Sequence, residues 1–332
     1  MDNLAQIATI RKSLLDALAP VITPHPSYAL VDFPNYSNVG DSAIWLGQVQ
    51  IMCDMGLGRP SYVSEISDFC AKDLMRFCPK GPIYIIGGGN FGDIWPEHQD
   101  FRIFLLKNFK DRPVVQFPQS IWFRDMANIR ATKEAIASHG NFTMFVRDRN
   151  SLEFAQEHLG CPAILAPDAA FGMGHIDRPH TPCLDTLFLL RTDKEKRAID
   201  WPDLGQQSAS SIVDWLEERG RPLRIAGIEH KIRSRIGDPA FARFHYFQRL
   251  ATIRLQRGLA LLSKGRVVVT DRLHAHVLSF LMDIPHVVLD NDYGKVSSFI
   301  AAWTSGSDLV ATANDPDEAL RLKDRLRILA ER

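Results

Sequence analysis

Strand-length runs of apolar residues recur along this chain, and most show no alternation with polar residues. YALVDF (28–33), PIYIIGGGN (82–90), VVQFP (114–118), TMFVRD (143–148) and AILAPD (163–168) come first. TLFLLR (186–191), LRIAGIE (223–229), RVVVTD (266–271) and HVVLDN (286–291) follow. A strand that is apolar on both faces belongs in a parallel sheet covered by helices on each side. The intervening segments supply such helices. Residues 5–18 carry Ile7, Ile10, Leu14, Leu15 and Leu18 at helical spacing. Further helices are predicted over 42–56, 100–109, 149–160, 210–220, roughly 239–264, and in HAHVLSFLMD and VSSFIAAW.

The alternation lapses between about Gly172 and Pro182, in FGMGHIDRPHTP, which reads as a linker. A chain of 332 residues exceeds what one core usually serves. The expectation is an α/β protein of two Rossmann-like parallel-sheet domains, 1–175 and 183–332, facing a cleft. The carboxyl ends of their strands would line it. No internal repeat is visible.

Lys+Arg and Asp+Glu both number 39, so the formal net charge is zero. That excludes a global field for nucleic acid, and any anion site must be local. The five cysteines show no CxxC and no metal-ligand spacing, which fits a reducing compartment. The first residues lack the order of a signal peptide, and no run approaches the ~18 apolar residues of a membrane span. A cytoplasmic protein is expected.

Chemistry concentrates at the strand ends. PNYSNVGDSAIW (34–45) places Asn38, Gly40 and Asp41 between a strand and a helix, and GGGNFGDIW (87–95) places Gly88, Gly89 and Asn90 likewise. Glycine lets backbone N–H groups approach a ligand, and a helix N-terminus favours an anion. The same turns also suit plain strand-to-helix connections with Asn and Asp as caps. Neither matches a Rossmann or P-loop fingerprint. Asp41 is either a cap or a general base on a hydroxyl.

The stretch TDRLHAHVLSFLMDIPHVVLDNDYGK (270–295) ends a strand in Arg272 and His274, and brings Lys295 to the next turn. Two neighbouring turns thus converge on an anion. Arg272 offers a planar fork for carboxylate or phosphate, and His274 a proton near neutral pH. His274 and His276, two apart, point to different sides of a helix, so no metal is expected. Arg147, Arg149 and Arg191 are further strand-end cations. Trp45, Trp95 and Trp122 lie near the first-domain turns, where one of them could stack on a sugar.

Taken in order, NxxNVGDSAIW, IIGGGNFGD, FPQSI, FVRDRNS, PDAAF, LLRTDKE, VVTDRLHAH and LDNDYGKV resemble the polysaccharide pyruvyl transferase family over about residues 30–303. The resemblance implies a GT-B-like fold, phosphoenolpyruvate as donor, and a pyruvate ketal built on two hydroxyls of a sugar in a surface polysaccharide or its precursor. It implies no cofactor and no metal. Position by position, Arg272, Leu273 and His274 fall on the phosphoenolpyruvate-contacting R-L-H. Lys295 would add a cation, and Arg191, Arg147 or Arg149 an upstream arginine. His274 is then general acid or phosphate partner and Asp41 the base. A nucleotide-sugar glycosyltransferase of the same build and a non-catalytic glycan-assembly protein are the rival readings.

Residues 230–266 hold nine Lys/Arg and one acid, Asp238, among four aromatic residues between Phe241 and Phe247. A solvated basic helix face is the plain account. The alternative is peripheral contact with an anionic membrane surface or with the pyrophosphate of a lipid-linked acceptor. No nucleic-acid module is present.

Overall fold

The computed structural model describes residues 2–192, 201, 210–218, 220–290 and 295–330. Its strands form two wholly parallel sheets. β1 (Ala29–Val31), β2 (Tyr62–Ser64), β3 (Ile83–Ile85), β4 (Gly88–Gly92), β5 (Val114–Trp122), β6 (Phe142–Val146) and β7 (Ala163–Leu165) make the first. Its order is β2-β1-β3-β5-β6-β7, with β4 paired to β5. β8 (Leu184–Leu189), β9 (Ser210–Val213), β10 (Gly265–Thr270), β11 (His286–Leu289) and β12 (Val310–Ala313) make the second, in the order β12-β11-β10-β8-β9. The unpatterned apolar runs are explained by burial on both faces: Val267, Val268 and Val269 are all fully covered.

Each sheet reverses its strand order once, at its first strand. β1 lies between β2 and β3, and β8 lies between β9 and β10. Loops leaving the two central strands diverge to opposite faces there and open a crevice at the carboxyl ends. In the first sheet that crevice receives the loops after β1 and β3. In the second it receives the loops after β8 and β10. Asn38, Gly40 and Asp41 follow β1, Gly88 to Asn90 follow β3, Arg191 follows β8, and Arg272 and His274 follow β10; Arg147 stands farther along the first sheet, at the end of β6.

Two helices straddle the sheets. Asn3–Leu18 buries Ile7 and Ile10 in the core around β8 and β10, and Leu14 and Leu18 in the core around β1. Pro239–Leu262 packs Phe247, Leu250 and Ala251 against Phe33 and Trp45, then Leu255, Leu259 and Leu262 against the second core. Gly258 allows the crossing, since a Cβ there would come within 2.2 Å of Val39.

Three expectations need correction. The patterning predicts helix over 210–220 and strand over 223–229, yet Ser210–Val213 is β9, paired to β8, and Gly220–Ile236 is a helix. Ala226 is its buried position, and Leu223 packs into the first core three residues earlier, a helical spacing hidden by the apolar run around them. The glycines at 87–92 are not a strand-to-helix turn. Gly88–Gly92 continues as β4, with a register shift between Gly88 and Phe91, and the helix starts only at Pro96. Gly92 must be glycine, because a Cβ would meet the Trp122 carbonyl at 1.7 Å. Trp45 offers nothing to a sugar: it is fully buried beside Phe33 and Phe247, and its Nε1 donates to Gln248 at 3.0 Å. The sequence patterns also leave out β2, β12 and the helices Ala71–Phe77, Met126–His139 and Pro316–Ala330.

His276 is fully buried. Its Nδ1 lies 2.7 Å from His286 Nε2, and its Nε2 lies 3.0 Å from Thr304 Oγ1. Burial pushes His286 down to about 4, and burial with the neighbouring His286 pushes His276 well below the ordinary range. Both are therefore neutral in the folded chain, whereas the unfolded chain takes up their protons as pH falls through about 6.5. The stability this contributes is complete above that value and is lost progressively as pH descends towards His286's folded pKa. Calorimetry from about pH 7 to about pH 5 should show a falling unfolding temperature. A double variant His276→Gln, His286→Asn should flatten the slope.

Candidate active site between the two sheets

The two crevices face each other across a cavity of about 440 Å³. Asn38 caps the helix Val39–Asp54, its Oδ1 accepting from Gly40 N at 3.1 Å, while its Nδ2 donates to Asp41 Oδ2 at 2.7 Å. Capping is thus done by Asn38, and Asp41 turns to the cavity wall. The preceding loop is pinned from the long helix Pro239–Leu262. Arg254 donates to the Pro34 carbonyl and to Asn35 Oδ1, both at 3.2 Å, and Arg257 donates to the carbonyls of Ser37 and Trp215. Glu218 balances Arg254 at 2.7 Å.

At the end of β6, Arg147 is buried and held in place by its neighbours. Its Nη1 donates to Asp168 Oδ2 at 2.6 Å and its Nε to Ser120 Oγ at 2.9 Å, and Ser120 in turn donates to Asp148 at 2.6 Å. His274, from the second domain, completes this cluster. Its Nε2 lies 3.4 Å from both Asp168 Oδ2 and Arg147 Nη1. The ring reaches that position only because residue 40 has no side chain: a Cβ there would stand 2.5 Å from its Cγ and Nδ1. Burial works against the Asp168 carboxylate, but the charges of His274 and Arg147 and the Ala170 N–H outweigh it and hold the group below the usual carboxylate range. Asp168 thus sits between the Arg147 guanidinium and the His274 imidazole beside the cavity.

Across the cavity Arg272 donates from Nη2 to Asp214 Oδ2 at 2.7 Å, with its guanidinium 5.9 Å from the centre of the Trp215 ring. Adjacency in sequence suggests an ion pair with Asp271. Instead Asp271 accepts from the Arg191 backbone N–H at 2.9 Å, and the Arg191 side chain reaches the cavity wall. Leu273, Gly89 and Asn90 also line it. Asn90 Oδ1 accepts from Arg102 and Gln119, and Gly89 passes Arg147 so closely that a Cβ would lie 3.0 Å from its Nη2. Gly88 adopts φ 140°, a conformation side chains rarely take. Trp95 is on the wall. Arg149 is exposed at the start of its helix. Lys295 opens the helix Lys295–Trp303, but its side chain lies outside the described residues.

Several wall or supporting groups were not singled out as site residues in the sequence: Asp168, Ser120, Asp148, Asp214, Tyr36 and His98. Asp148 and Asp168 stand just past β6 and β7, where the strand-tip rule would have found them. Ser120 lies in FPQSI, one of the segments that carry the family resemblance, and Asp214, Tyr36 and His98 had no local signal. His98 reaches the cavity from a helix and is held by buried Asp32, Nδ1 to Oδ1 2.9 Å, with Asp32 at φ 69°. Among the described residues no group of three or more His, Cys, Asp and Glu is placed to hold a metal ion.

Two parallel α/β sheets meeting at their strand tips define a GT-B-like fold with its site in the cleft between them. A solved structure from Klebsiella pneumoniae, of a protein without known function, shares it. That structure matches 95% of this chain and 99% of its own with a TM-score of 0.55 at 16% identity. The polysaccharide pyruvyl transferase family profile matches residues 38–293. Pyruvyl transferase 1 of Schizosaccharomyces pombe is 32% identical over 89% of this chain and 74% of its own length. The Bacillus subtilis protein EpsO, provisionally named a pyruvyl transferase, is 28% identical over 89% of this chain and 91% of its own. This chain belongs to the polysaccharide pyruvyl transferase family.

Gly40→Ala tests the interdomain fit. The methyl group would displace the His274 ring from Asp168, and misplacement of a reacting group by about 1 Å can cost ~10²-fold in rate. Turnover should fall by that order while the circular dichroism spectrum stays native. Unchanged turnover would show that the close approach of residue 40 and His274 has no functional weight.

Proposed function

We propose that this protein transfers the pyruvyl group of phosphoenolpyruvate to two hydroxyls of a saccharide acceptor, forming a pyruvate ketal and releasing phosphate. The observation that carries this reading is the convergence of Arg147, Arg191, Arg272 and His274, from both domains, on one cavity. Phosphoenolpyruvate presents a carboxylate and a phosphate, and separated guanidinium groups suit such a pair of anions. Family membership supports the same donor and acceptor classes.

In this scheme Arg147 is the upstream arginine of the donor site and Arg272 the downstream one. His274, held by Asp168, delivers a proton to C3 of the enol, and oxocarbenium character develops at C2. An acceptor hydroxyl adds to C2 as its proton passes to Asp41. The C2–O bond to phosphate breaks, and the second hydroxyl closes the ring, its proton leaving with phosphate or solvent. Asp41 and His274 come from different domains, and the His274 ring packs over Gly40, the residue before Asp41, so base and acid work beside one another at the cavity. The saccharide lies on the first-domain side, where Trp95 and His98 offer an aromatic face and a polar edge.

Thermal-shift titration separates this reading from a nucleotide-sugar transferase. Phosphoenolpyruvate at 100 times its dissociation constant should stabilise by ~2.7 kcal/mol. Arg191→Ala should weaken that shift and Arg272→Lys should remove most of it, since an ammonium cannot supply the planar fork. A shift with UDP-sugars alone would replace the reading. His274→Gln should keep the phosphoenolpyruvate shift yet lower turnover by ~10²–10⁴-fold, the usual worth of a positioned acid. Substantial residual turnover would remove His274 from proton transfer.

A further inference from the structure

The basic segment of the sequence divides once its residues are placed. In the helix Pro239–Leu262, Arg254 and Arg257 are consumed by the loop at 34–37 and by Glu218, and Arg243 pairs with Asp68. The helix before it, Gly220–Ile236, is different. It packs on its neighbour through Leu223, Ala226 and His230, whose ring stacks on Tyr246. Its outer side carries Ile225, Ile228, Ile232 and Ile236, which are 47%, 59%, 55% and 82% exposed.

At about 100° per residue these four isoleucines fall in one sector about 80° wide. Arg224, Lys231 and Arg235 form the adjoining sector. On the other side Glu229 borders the stripe and Arg233 follows it, while Arg221 falls within the stripe's sector at the first turn; the five basic residues are exposed. Glu229, the helix's one acid, lies 4.0 Å from Arg249. The helix therefore has a packed face, an apolar face and a cationic face. Packing onto its own domain uses only the first of these and leaves the isoleucine stripe exposed.

We infer that the isoleucine stripe of Gly220–Ile236, with its cationic border, docks this protein on an anionic lipid surface. Isoleucines entering the headgroup boundary beside a row of Lys and Arg is the arrangement of an interfacial helix. Charge complementarity selects this occupant over a second copy of the chain. An antiparallel two-fold pairing of the stripe would set the same cationic row against itself. Docking here has a consequence for the cleft: Trp215 and Leu216 line the cavity a few residues before the helix begins. The cavity would be held near the membrane surface, where an acceptor carried on a lipid would be met. The docking itself is independent of the donor assigned above.

The test is cosedimentation of the full chain with phosphatidylcholine vesicles, with and without roughly 30% phosphatidylglycerol. Binding is expected to the anionic vesicles alone and should weaken as salt is raised. Ile228→Asp with Ile232→Asp, and separately Arg224→Gln with Lys231→Gln and Arg235→Gln, should each reduce binding by roughly tenfold or more. Because these side chains are exposed, thermal unfolding should stay close to wild type. Ile228→Trp adds a direct reading, a blue-shifted emission on anionic vesicles and none on neutral ones. Failure of the wild type to bind, equal binding by the variants, or an unshifted emission from the Ile228→Trp variant would each overturn the inference. So would a wild-type dimer that the Ile228, Ile232 variant converts to monomer, which would give the stripe to a second copy.

Discussion

His274 meets the first domain through the space left by a glycine, and the closed cleft depends on that contact. The imidazole packs over Gly40 and reaches the Asp168 carboxylate, which Arg147 also holds. A fully buried carboxylate is costly unless its partners are present. Here the partners come from both domains, so the arrangement that seats the domains also satisfies the charge. Arg147 takes part twice, because its own carbonyl accepts from Trp303 Nε1 at 2.8 Å on a second-domain helix. Site geometry and domain placement are one set of interactions, so a change at residue 40, 147 or 168 should be felt in both.

The chain's neutral overall charge conceals a strong division of labour among its arginines. Arg254 and Arg257 point inward and hold the backbone of the loop that presents Asn38 and Asp41. Arg102, fully buried, stacks on Phe91 at 4.4 Å and bonds Gln99, Gln116 and Asn90, fixing the glycine strand beside the cavity. Arg147, Arg191 and Arg272 reach the cavity wall. Outside, the arginines of Gly220–Ile236 face solvent beside isoleucine. A count of basic residues along 230–266 mixes these roles, which burial and partner separate.

Much of the architecture was legible in the sequence. Continuous apolar runs such as RVVV announced doubly covered strands, and their spacing announced two parallel sheets. The strand-tip rule located Asn38, Asp41, Arg147, Arg191, Arg272 and His274, all of which the structure brings to one cavity. Where the reading failed, the cause is specific. Around 210–229 short apolar runs fit either period, so strand and helix exchanged places. At 87–92 glycine resembles a turn signal, although its service here is to let a strand pass the Trp122 carbonyl. Asp168 stands at a strand tip, inside PDAAF, but its role was hidden because its partners, Arg147 and His274, are distant in sequence.

What the sequence determined alone was periodicity and its consequences: the α/β class, the parallel sheets, and the set of polar residues at their carboxyl ends. Those follow from local patterns, since a side chain's direction along a strand or helix repeats with a fixed period. Which of those residues meet was decided only by tertiary structure. The pairing of Arg272 with Asp214, the capture of the 34–37 loop by Arg254, and the fit of His274 over Gly40 join segments far apart in the chain. Such contacts depend on how two separately formed sheets close on each other, and local periodicity carries no information about that distance.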